Sequence, residues 1–157
     1  MYTVKPINIT NISGLLKVAD ILYKCGKDMS AKYDLHHWDN PRIKNWIIVF
    51  LCALKNEIYL VYCGEKCVAT FQTRKKDDSL LFQKLATSPD YAGKGIGSFC
   101  LDAIEDIGRK SSCKKILCEV FDKSEHAKAF YEKRGYTAYG ETTTLKYREI
   151  KLKKDLR

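Results

Sequence analysis

Residues 85–98 read Leu-Ala-Thr-Ser-Pro-Asp-Tyr-Ala-Gly-Lys-Gly-Ile-Gly-Ser. An apolar segment ends here, three glycines follow at alternate positions, and apolar residues then recur at helical spacing from Ile96 onward. We predict a strand over 80–87, a glycine-rich loop over 91–97 and a helix after it. Because free backbone N–H groups at a helix N-terminus attract anions, this stretch predicts a phosphate or pyrophosphate site, to which Lys94 adds a positive charge.

The residues of this loop leave several interpretations open. A P-loop requires Gly-Lys followed by Ser or Thr, whereas Lys94 is followed by Gly95. A dinucleotide-binding loop has the spacing G-x-G-x-x-G, whereas the third glycine here, Gly97, comes one residue early. A coenzyme A site and a plain strand-to-helix turn without a ligand are the other two interpretations, and the loop alone does not decide between them.

The rest of the chain predicts helices and strands on both sides of this stretch. The first helix has an apolar stripe that begins at Leu15, with Asn11 or Ser13 as its cap, and a polar loop over 27–40 follows it. Asn40-Pro41 opens a second helix. The other predicted elements are strands over 2–9, 58–63, 67–74, 115–121, 136–138 and 145–152 and a helix over 124–134. This order predicts an α/β fold in a single domain over 1–157, with a mixed, mostly antiparallel sheet, a central right-handed β-α-β crossover and flanking helices.

Composition limits the classes of protein and of site. The chain of 157 residues suits one domain, and its formal net charge of +9 suits a polyanionic partner such as nucleic acid, a membrane surface or a phosphorylated cofactor. The seven cysteines include no C-x-x-C pair, so we expect reduced core thiols and no metal site. The apolar run Trp46–Leu54 is too short to span a bilayer, and Met1–Thr10 lacks the plan of a signal peptide. We therefore expect a soluble, cytoplasmic protein.

Two segments resemble the hallmark motifs of the GNAT superfamily of N-acetyltransferases. Residues 92–97, Ala-Gly-Lys-Gly-Ile-Gly, are similar to its pattern R/Q-x-x-G-x-G/A. Residues 124–136, Ser-Glu-His-Ala-Lys-Ala-Phe-Tyr-Glu-Lys-Arg-Gly-Tyr, are similar to its pattern N-x-x-A-x-x-[LF]-Y-x-K-x-G-[FY]. Ala92 stands where the family has Arg or Gln. Ser124 stands where it has Asn, and a serine there can still cap the helix.

The resemblance implies an enzyme that uses acetyl-CoA and no metal, in which an amine attacks the acetyl thioester directly in a ternary complex. It implies that the pantetheine arm lies along the end of the strand over 80–87, where a backbone amide polarises the thioester carbonyl. It also implies that Tyr131 protonates the departing thiolate. The residues expected to bind the coenzyme are Leu85, Ala86, Thr87, Ala92, Gly93, Lys94, Gly95, Ile96, Gly97, Ser98, Ser124, Ala127 and Tyr131.

The general base is not given by the motifs. Many members of the family carry a Glu on the strand before the glycine loop, whereas residues 79–87 contain neither Asp nor Glu. The loop between the first two helices commonly lines the acceptor site in this family, so His37 or His36 is a candidate base with a suitable pKa. Glu119 and Asp122, at the end of the next strand, are further candidates.

The same loop predicts the acceptor pocket. Tyr33, His36 and Trp38 are expected to contact the substrate, because aromatic rings attract a cationic amine. The acceptor is expected to be a small-molecule or peptide amine. The C-terminal strands could also pair between two copies, which would give a homodimer.

Two other functions compete with an acetyltransferase. A non-catalytic acyl-CoA-binding module of the same fold would keep Gly93–Gly97 and would tolerate the loss of the Tyr131 hydroxyl. A basic nucleic-acid-binding protein would need a contiguous Lys/Arg face. The sequence contains no recognised nucleic-acid motif. We therefore expect neither nucleic acid nor a membrane as a partner.

Overall fold

The computed structural model describes residues 1–39, 46–144 and 146–157. The helices are α1 (Ile12–Tyr33), α2 (Trp46–Ala53), α3 (Ile96–Lys110) and α4 (Glu125–Lys133). The strands are β1 (Tyr2–Ile7), β2 (Glu57–Cys63), β3 (Lys66–Lys76), β4 (Ser79–Thr87), β5 (Lys115–Phe121), β6 (Thr137–Thr144) and β7 (Tyr147–Asp155). A 3-10 turn, Pro89–Tyr91, lies between β4 and α3. Helices and strands follow one another in the predicted order.

The strands form one seven-stranded sheet in the order β1-β2-β3-β4-β5-β7-β6. Every neighbouring pair is antiparallel except β4 and β5, which are parallel. Helix α3 connects these two strands, so that β4-α3-β5 is the predicted crossover. The predicted α/β class, with its mixed and mostly antiparallel sheet, is confirmed.

Each face of the sheet carries its own apolar cluster, because successive side chains of a strand point to opposite faces. The cluster with α1 and α2 includes Leu15, Val18, Leu22, Val49, Ile58 and Leu60. The cluster with α3 includes Phe71, Cys100, Leu101, Ile104, Ile116 and Val120. Strand β4 contributes Ala86 to the first cluster and Phe82 to the second. The strand that leads to the glycine loop is therefore held from both faces.

Helix α1 is longer than predicted, since it continues to Tyr33 where a loop was expected from residue 27. Gly26 does not end the helix. A Cβ atom on Gly26 would lie 2.5 Å from the carbonyl oxygen of Trp38, so the glycine allows the following chain to approach the helix closely. An ion pair between Asp28 and Lys32 at 3.0 Å joins neighbouring turns of this extension.

The two C-terminal strands are also longer than the predicted segments over 136–138 and 145–152. They pair with each other along their length, and β7 pairs with β5. Ladder hydrogen bonds to neighbouring strands therefore extend them beyond the residues that have a strong strand preference. At the other end of the chain Asn11 caps α1 as predicted, because its side-chain oxygen accepts from the Gly14 N–H at 2.9 Å.

Helix α2 is short and apolar. Its predicted start at Asn40-Pro41 lies outside the described residues. Val49 is buried, whereas Ile47, Leu51 and Leu54 on and just after this helix are about half exposed. In the described ranges, no helix combines the length and the apolar character that crossing a membrane requires.

Strand β4 contains a bulge. Its register with β3 shifts between the pairs Thr70–Ala86 and Gln72–Gln83, so that β4 has one more residue than β3 in this interval. Lys84, within the bulge, has a φ of 51°. A side-chain-bearing residue in the left-handed region is uncommon, and it redirects the backbone groups that follow.

Strands β4 and β5 are hydrogen-bonded only near their beginnings. The last pair in their register is Leu81–Leu117, whereas β4 continues to Thr87 and β5 to Phe121. Across the described residues no further pairing joins the two strands. They part into a cleft, and the backbone groups along its edges face each other without a ladder.

Candidate active site

The glycine loop lies directly after the parted end of β4. Gly93 and Gly95 each have a φ of 74°, in the left-handed region that favours glycine. A Cβ atom at either position would have no heavy atom within 4 Å. The loop therefore presents bare backbone to open space, and a ligand can approach it closely.

The first turn of α3 supplies unpaired backbone donors. Gly95 is the N-cap residue, and no side chain caps the helix. The N–H of Phe99 is the first to donate within the helix, to the Gly95 carbonyl at 3.0 Å. The N–H groups of Ile96, Gly97 and Ser98 therefore have no acceptor within the helix. The turn contains no acidic residue. Donors and helix dipole together favour an anion at this position.

Three residues of the predicted coenzyme site differ in which of their backbone and side-chain groups are available to a ligand. The Ala92 N–H already donates within the 3-10 turn, at 3.2 Å. The Ile96 side chain is buried in the core, so only its backbone reaches the loop surface. The Lys94 carbonyl accepts from the Tyr2 hydroxyl at 3.1 Å, and its ammonium lies 5.2 Å from the centre of the Tyr91 ring. Strand β1 thus tethers the loop, while the Lys94 side chain stays beside it.

The two motif segments are in contact. A Cβ atom on Gly97 would lie 3.3 Å from the ring of Phe130, so the absent side chain lets α4 approach the start of α3. Ser124 occupies the N-cap position of α4 and is buried, but its hydroxyl makes no capping hydrogen bond. Ser124 therefore has the position from which a serine can cap the helix, but its side chain does not do so. Ala127 is partly buried and packs against the α3-side core.

Tyr131 lies over the point where β4 and β5 part. Its ring centre is 6.0 Å from that of Phe82, the residue that follows Leu81 on β4. Burial raises its pKa well above the ordinary value of 10.0, and the nearby Cys118, which follows Leu117 on β5, adds to this shift. The phenol therefore stays protonated at neutral pH and can donate a proton or a hydrogen bond into the cleft.

Buried thiols surround this tyrosine. Cys25, Cys100 and Cys118 all influence its titration, and burial raises the pKa of Cys25 to about 11 and that of Cys100 to about 12. All seven cysteines are free thiols, and the predicted position in the core holds for the three that are buried, Cys100, Cys113 and Cys118, whereas the other four are partly exposed. Protonated, buried thiols behave as small apolar groups. Over the ranges that the structure describes, no three His, Cys, Asp or Glu side chains are placed to hold a metal ion.

The structure does not bring the residues predicted for the acceptor site together. Tyr33 stacks on His126 of α4, with ring centres 4.2 Å apart. His36 is exposed, and its Nε2 lies 2.7 Å from the Asp34 carboxylate, whose hydrogen bond raises the pKa of His36. Trp38 packs instead against the cluster of α1 and α2. Trp38 also lines a cavity beside strand β4.

His37 lies at the open end of the cleft. Its ring centre is 4.5 Å from that of Phe121, the last residue of β5, and 6.2 Å from that of Tyr147. Burial, assisted by His126, lowers the pKa of His37 to about 4. Its Nδ1 is buried and has no hydrogen-bond partner in the described part of the chain. The imidazole is therefore neutral at neutral pH, and its low pKa makes it a weaker base than the sequence led us to expect.

The two carboxylates considered as bases differ in their surroundings. Asp122 lies within 4 Å of both Lys128, at 3.8 Å, and Arg148, at 3.9 Å. Glu119 makes no ion pair with any described residue. Burial, and then Glu149, raise the pKa of Glu119. Glu119 is thus an unpaired carboxylate beside the cleft, whereas Asp122 is engaged with cations.

A cavity of about 30 Å³ lies beside the β4 bulge. It is lined by Leu22, Trp38, Ile48, Val49, Cys52, Gln72 and Lys84. Sequence analysis did not single out Gln72 or Lys84. Polar residues alternate with apolar ones in many half-exposed strands, so nothing in the local sequence indicates that Gln72 is only 1% exposed.

Comparison with protein families gives one match. Residues 19–136 match the acetyltransferase (GNAT) family. This range begins within α1 and includes β4, the glycine loop, α3 and Tyr131. No individual curated protein is significantly similar to the chain in sequence.

Comparison with solved structures gives similar folds over almost the whole chain. The PaiA N-acetyltransferase from Thermoplasma acidophilum in complex with coenzyme A has a TM-score of 0.75 at 15% identity, covering 99% of each chain. An acetyltransferase from Streptococcus agalactiae has a TM-score of 0.73 at 19% identity, covering 99% of this chain and 98% of that one. A Bacillus subtilis acetyltransferase in complex with CoA has a TM-score of 0.71 at 14% identity, covering 100% of each chain.

Proposed function

The chain belongs to the acetyltransferase (GNAT) family, and on this premise we propose that it is an acetyl-CoA-dependent N-acetyltransferase. It transfers an acetyl group to a primary amine, which attacks the thioester directly in a ternary complex. One observation carries the proposal. Tyr131 lies over the first unpaired residues of β4 and β5, at the end of the sheet where the glycine loop begins.

The residues of the loop fit the pyrophosphate of coenzyme A. Gly93 and Gly95 leave the space over the backbone free, and the first turn of α3 adds unpaired N–H groups without an acidic side chain. Lys94 places a cation beside them. The coenzyme A bound to the T. acidophilum and B. subtilis proteins supports the same ligand here.

The cleft supplies the groups that the chemistry requires. Acetyl-CoA, when bound, provides the activated thioester. The Leu85 N–H follows the left-handed residue Lys84, and we assign to it the hydrogen bond that stabilises negative charge on the carbonyl oxygen. Tyr131 keeps its proton at neutral pH and delivers it to the departing thiolate.

We assign the general base to His37. Its position supports this role, because the imidazole lies at the end of β5 next to the cleft and is unprotonated at neutral pH, so that it can accept the proton that the amine loses. Its pKa of about 4 makes it a weak base. Glu119 is the competing base, because it is unpaired and its pKa is raised. His37→Gln should lower kcat/KM by about 10²-fold or more, while Glu119→Gln changes it little. The reverse result would transfer the role to Glu119.

A non-catalytic acyl-CoA-binding module is the alternative function. The occupied Ala92 N–H and the absence of a carboxylate from residues 79–87 favour it. Such a module would bind acetyl-CoA without acetylating any amine. A screen of amines against the parent protein therefore separates the two functions once binding is shown.

The decisive experiment is a calorimetric titration of the purified protein with acetyl-CoA, beside Gly95→Glu and Gly95→Gln. Both variants carry a similar side chain at a residue with a φ of 74°, so both suffer the same backbone strain. Only glutamate adds negative charge where the pyrophosphate should bind. We expect micromolar binding by the parent and a much larger loss in Gly95→Glu than in Gly95→Gln. A folded parent that does not bind acetyl-CoA would exclude both the enzyme and the module.

We also propose the domain organisation, the cellular location and the partners of the enzyme. It is a single-domain, cytoplasmic protein over 1–157 whose partners are the coenzyme and an amine acceptor. Strand β6 is an edge strand of the sheet, and its unpaired backbone groups can hydrogen-bond to the same strand of a second copy. Sedimentation analysis tests this homodimer.

A further inference from the structure

The cavity beside Lys84 contains a buried hydrogen-bond donor without a partner. Gln72 is 1% exposed. Its Oε1 accepts from Asn56 Nδ2 and from Gln83 Nε2, each at 3.2 Å. Its own Nε2 is buried and has no partner in the described part of the chain. Since buried polar groups are nearly always hydrogen-bonded, this orphan donor requires an explanation.

Lys84 adds a cation to the same cavity. The residue is half-buried, and its left-handed backbone places it in the β4 bulge. No described residue forms an ion pair with Lys84, and no Asp or Glu is among the cavity residues that the structure describes. The described residues that line the cavity therefore include a lysine and an amide with an unpaired N–H, and none of them carries a negative charge.

The volume of the cavity and its apolar walls indicate which kind of ligand fits it. A volume of about 30 Å³ holds roughly two water-sized groups, which is the space that two oxygen atoms occupy. Leu22, Ile48 and Val49 provide apolar walls. A ligand that places two acceptor oxygens in this space, and whose aliphatic group extends from it along the apolar residues, matches these features.

We propose that this cavity binds the carboxylate of the acceptor, and that the acceptor is an aliphatic amino acid acetylated on its α-amine. This inference rests on the proposed function, because it concerns the substrate of the same site. Gln72 Nε2 and the Lys84 ammonium hold the two carboxylate oxygens. Lys84 directly precedes Leu85, so a carboxylate held there keeps the adjacent α-amine near the amide assigned to the thioester carbonyl.

The same features disfavour a purely cationic acceptor such as a polyamine. An ammonium group in this cavity would face the Lys84 ammonium and the Gln72 N–H, and all of these are donors. Like charges at close distance repel more strongly where water is excluded. A free carboxylate on the acceptor removes this conflict.

The first test compares acceptors that differ only in the carboxylate. L-leucine and 3-methylbutan-1-amine have the same aliphatic chain and the same primary amine. We expect kcat/KM for L-leucine to exceed that for the amine by about tenfold or more. Calorimetric titration of L-leucine into the protein, alone and with saturating coenzyme A, measures binding without turnover and without reliance on the acetyl donor.

Two variants test the assigned groups. Gln72→Glu keeps an oxygen for Asn56 and Gln83 to donate to, but replaces the orphan donor with a negatively charged oxygen. Lys84→Met removes the cation. Each should reduce the preference for L-leucine by about tenfold, through KM for the acceptor, and leave KM for acetyl-CoA within about twofold. Lys76→Met, a lysine on an exposed part of β3 outside the cavity, is the matched control and should behave as the parent.

These experiments distinguish a failure of the carboxylate assignment from a failure of the proposed acetyltransferase function. Equal or better use of 3-methylbutan-1-amine, or an unchanged preference in Gln72→Glu, overturns the carboxylate assignment while the acetyltransferase stands. A protein that binds acetyl-CoA but neither binds nor acetylates L-leucine overturns it as well. If acetyl-CoA does not bind, the proposed function fails, and the titration of L-leucine alone still decides whether the cavity accepts a carboxylate.

Discussion

The backbone of Trp38 rests directly on Gly26: the Trp38 carbonyl oxygen lies 2.5 Å from the position that a Cβ atom on Gly26 would occupy. Gly26 is within α1, and Trp38 is in the segment that follows it. Trp38 also forms a wall of the cavity beside Lys84. The absence of a side chain at Gly26 thus allows the close distance between the helix and a wall of the proposed acceptor site.

Gly26→Ala should destabilise the protein, although alanine is the better helix former by about 1 kcal/mol. The added methyl group meets backbone rather than a flexible side chain, and overpacking of this kind costs about 1–3 kcal/mol. Urea denaturation measures the change. Gly140→Ala is the control, since its Cβ would meet only Lys151 Cδ at 3.8 Å. If Gly26→Ala proves as stable as the parent, the close approach does not constrain the loop.

Tyr131→Phe should lower kcat by about 10²-fold or more, with little change in the affinity for acetyl-CoA, because the proton donor is lost while the ring remains. Tyr136→Phe is a matched control. The two rings lie 5.7 Å apart, and the Tyr136 hydroxyl is buried without a partner in the described part of the chain. Tyr136→Phe should keep its activity and gain slightly in stability. Steady-state kinetics that showed equal losses in both variants would contradict the assigned role.

The stability of the protein should depend on His37 at acidic pH. Its folded pKa of about 4 lies below the ordinary value of 6.5, so the unfolded chain binds a proton more readily between these values. This contribution is fully present above about pH 6.5 and is lost as the pH falls towards 4. Lowering the pH from about 7.5 to about 5 should reduce the free energy of unfolding of both proteins. After allowance for partial exposure of His37, we expect this reduction to be about 1 kcal/mol smaller for His37→Gln than for the parent.

His36 should affect the dependence of stability on pH in the opposite direction to His37. Its pKa is raised by the hydrogen bond to Asp34, so its contribution is present below the unfolded pKa and is lost as the pH rises through the folded value. His36→Gln should therefore make the protein more sensitive to acid, whereas His37→Gln makes it less sensitive. Denaturation curves at the two pH values that showed the same dependence for all three proteins would exclude both effects.

Lys154→Met should destabilise the protein by about 1–3 kcal/mol. The Lys154 ammonium lies 2.7 Å from the Glu105 carboxylate, whose side chain is only 6% exposed. Without the lysine, that carboxylate stays buried with Arg109 at 3.5 Å as its remaining cation. Thermal denaturation measures the loss, and Lys153→Met is the control, because Lys153 makes no ion pair with any described residue. The double variant Glu105→Gln/Lys154→Met should recover part of the stability.

The elements that surround the glycine loop could be predicted from the sequence because their signals are local. Strand β5 has the predicted bounds Lys115–Phe121, since a nearly continuous apolar run is bounded there by polar residues. Helix α3 begins at Ile96, where the apolar stripe starts, although the glycine loop was predicted to continue to Gly97. At β5 the hydrophobic pattern and the polar flanks agree on the same boundary, whereas at α3 the apolar stripe marks the helix start better than the glycines do.

Features that depend on contacts between distant residues could not be predicted. Gly26 has the local signature of a helix end, but a carbonyl group twelve positions later determines its role. Lys84 has no turn preference of its own, and the register between β3 and β4 imposes its left-handed backbone. Gln72 has the pattern of an exposed strand residue, and only the packing of α1 and α2 over β3 buries it.

The parting of β4 and β5 after Leu81–Leu117 has a consequence for how such a protein can change over generations. The edges of the cleft are formed by main-chain N–H and C=O groups, which are the same for every residue type except proline. Substitutions along the cleft that preserve the bulge leave its hydrogen-bonding edges intact. A protein with such a cleft can therefore diverge in most of its wall residues, while natural selection preserves the path of the backbone.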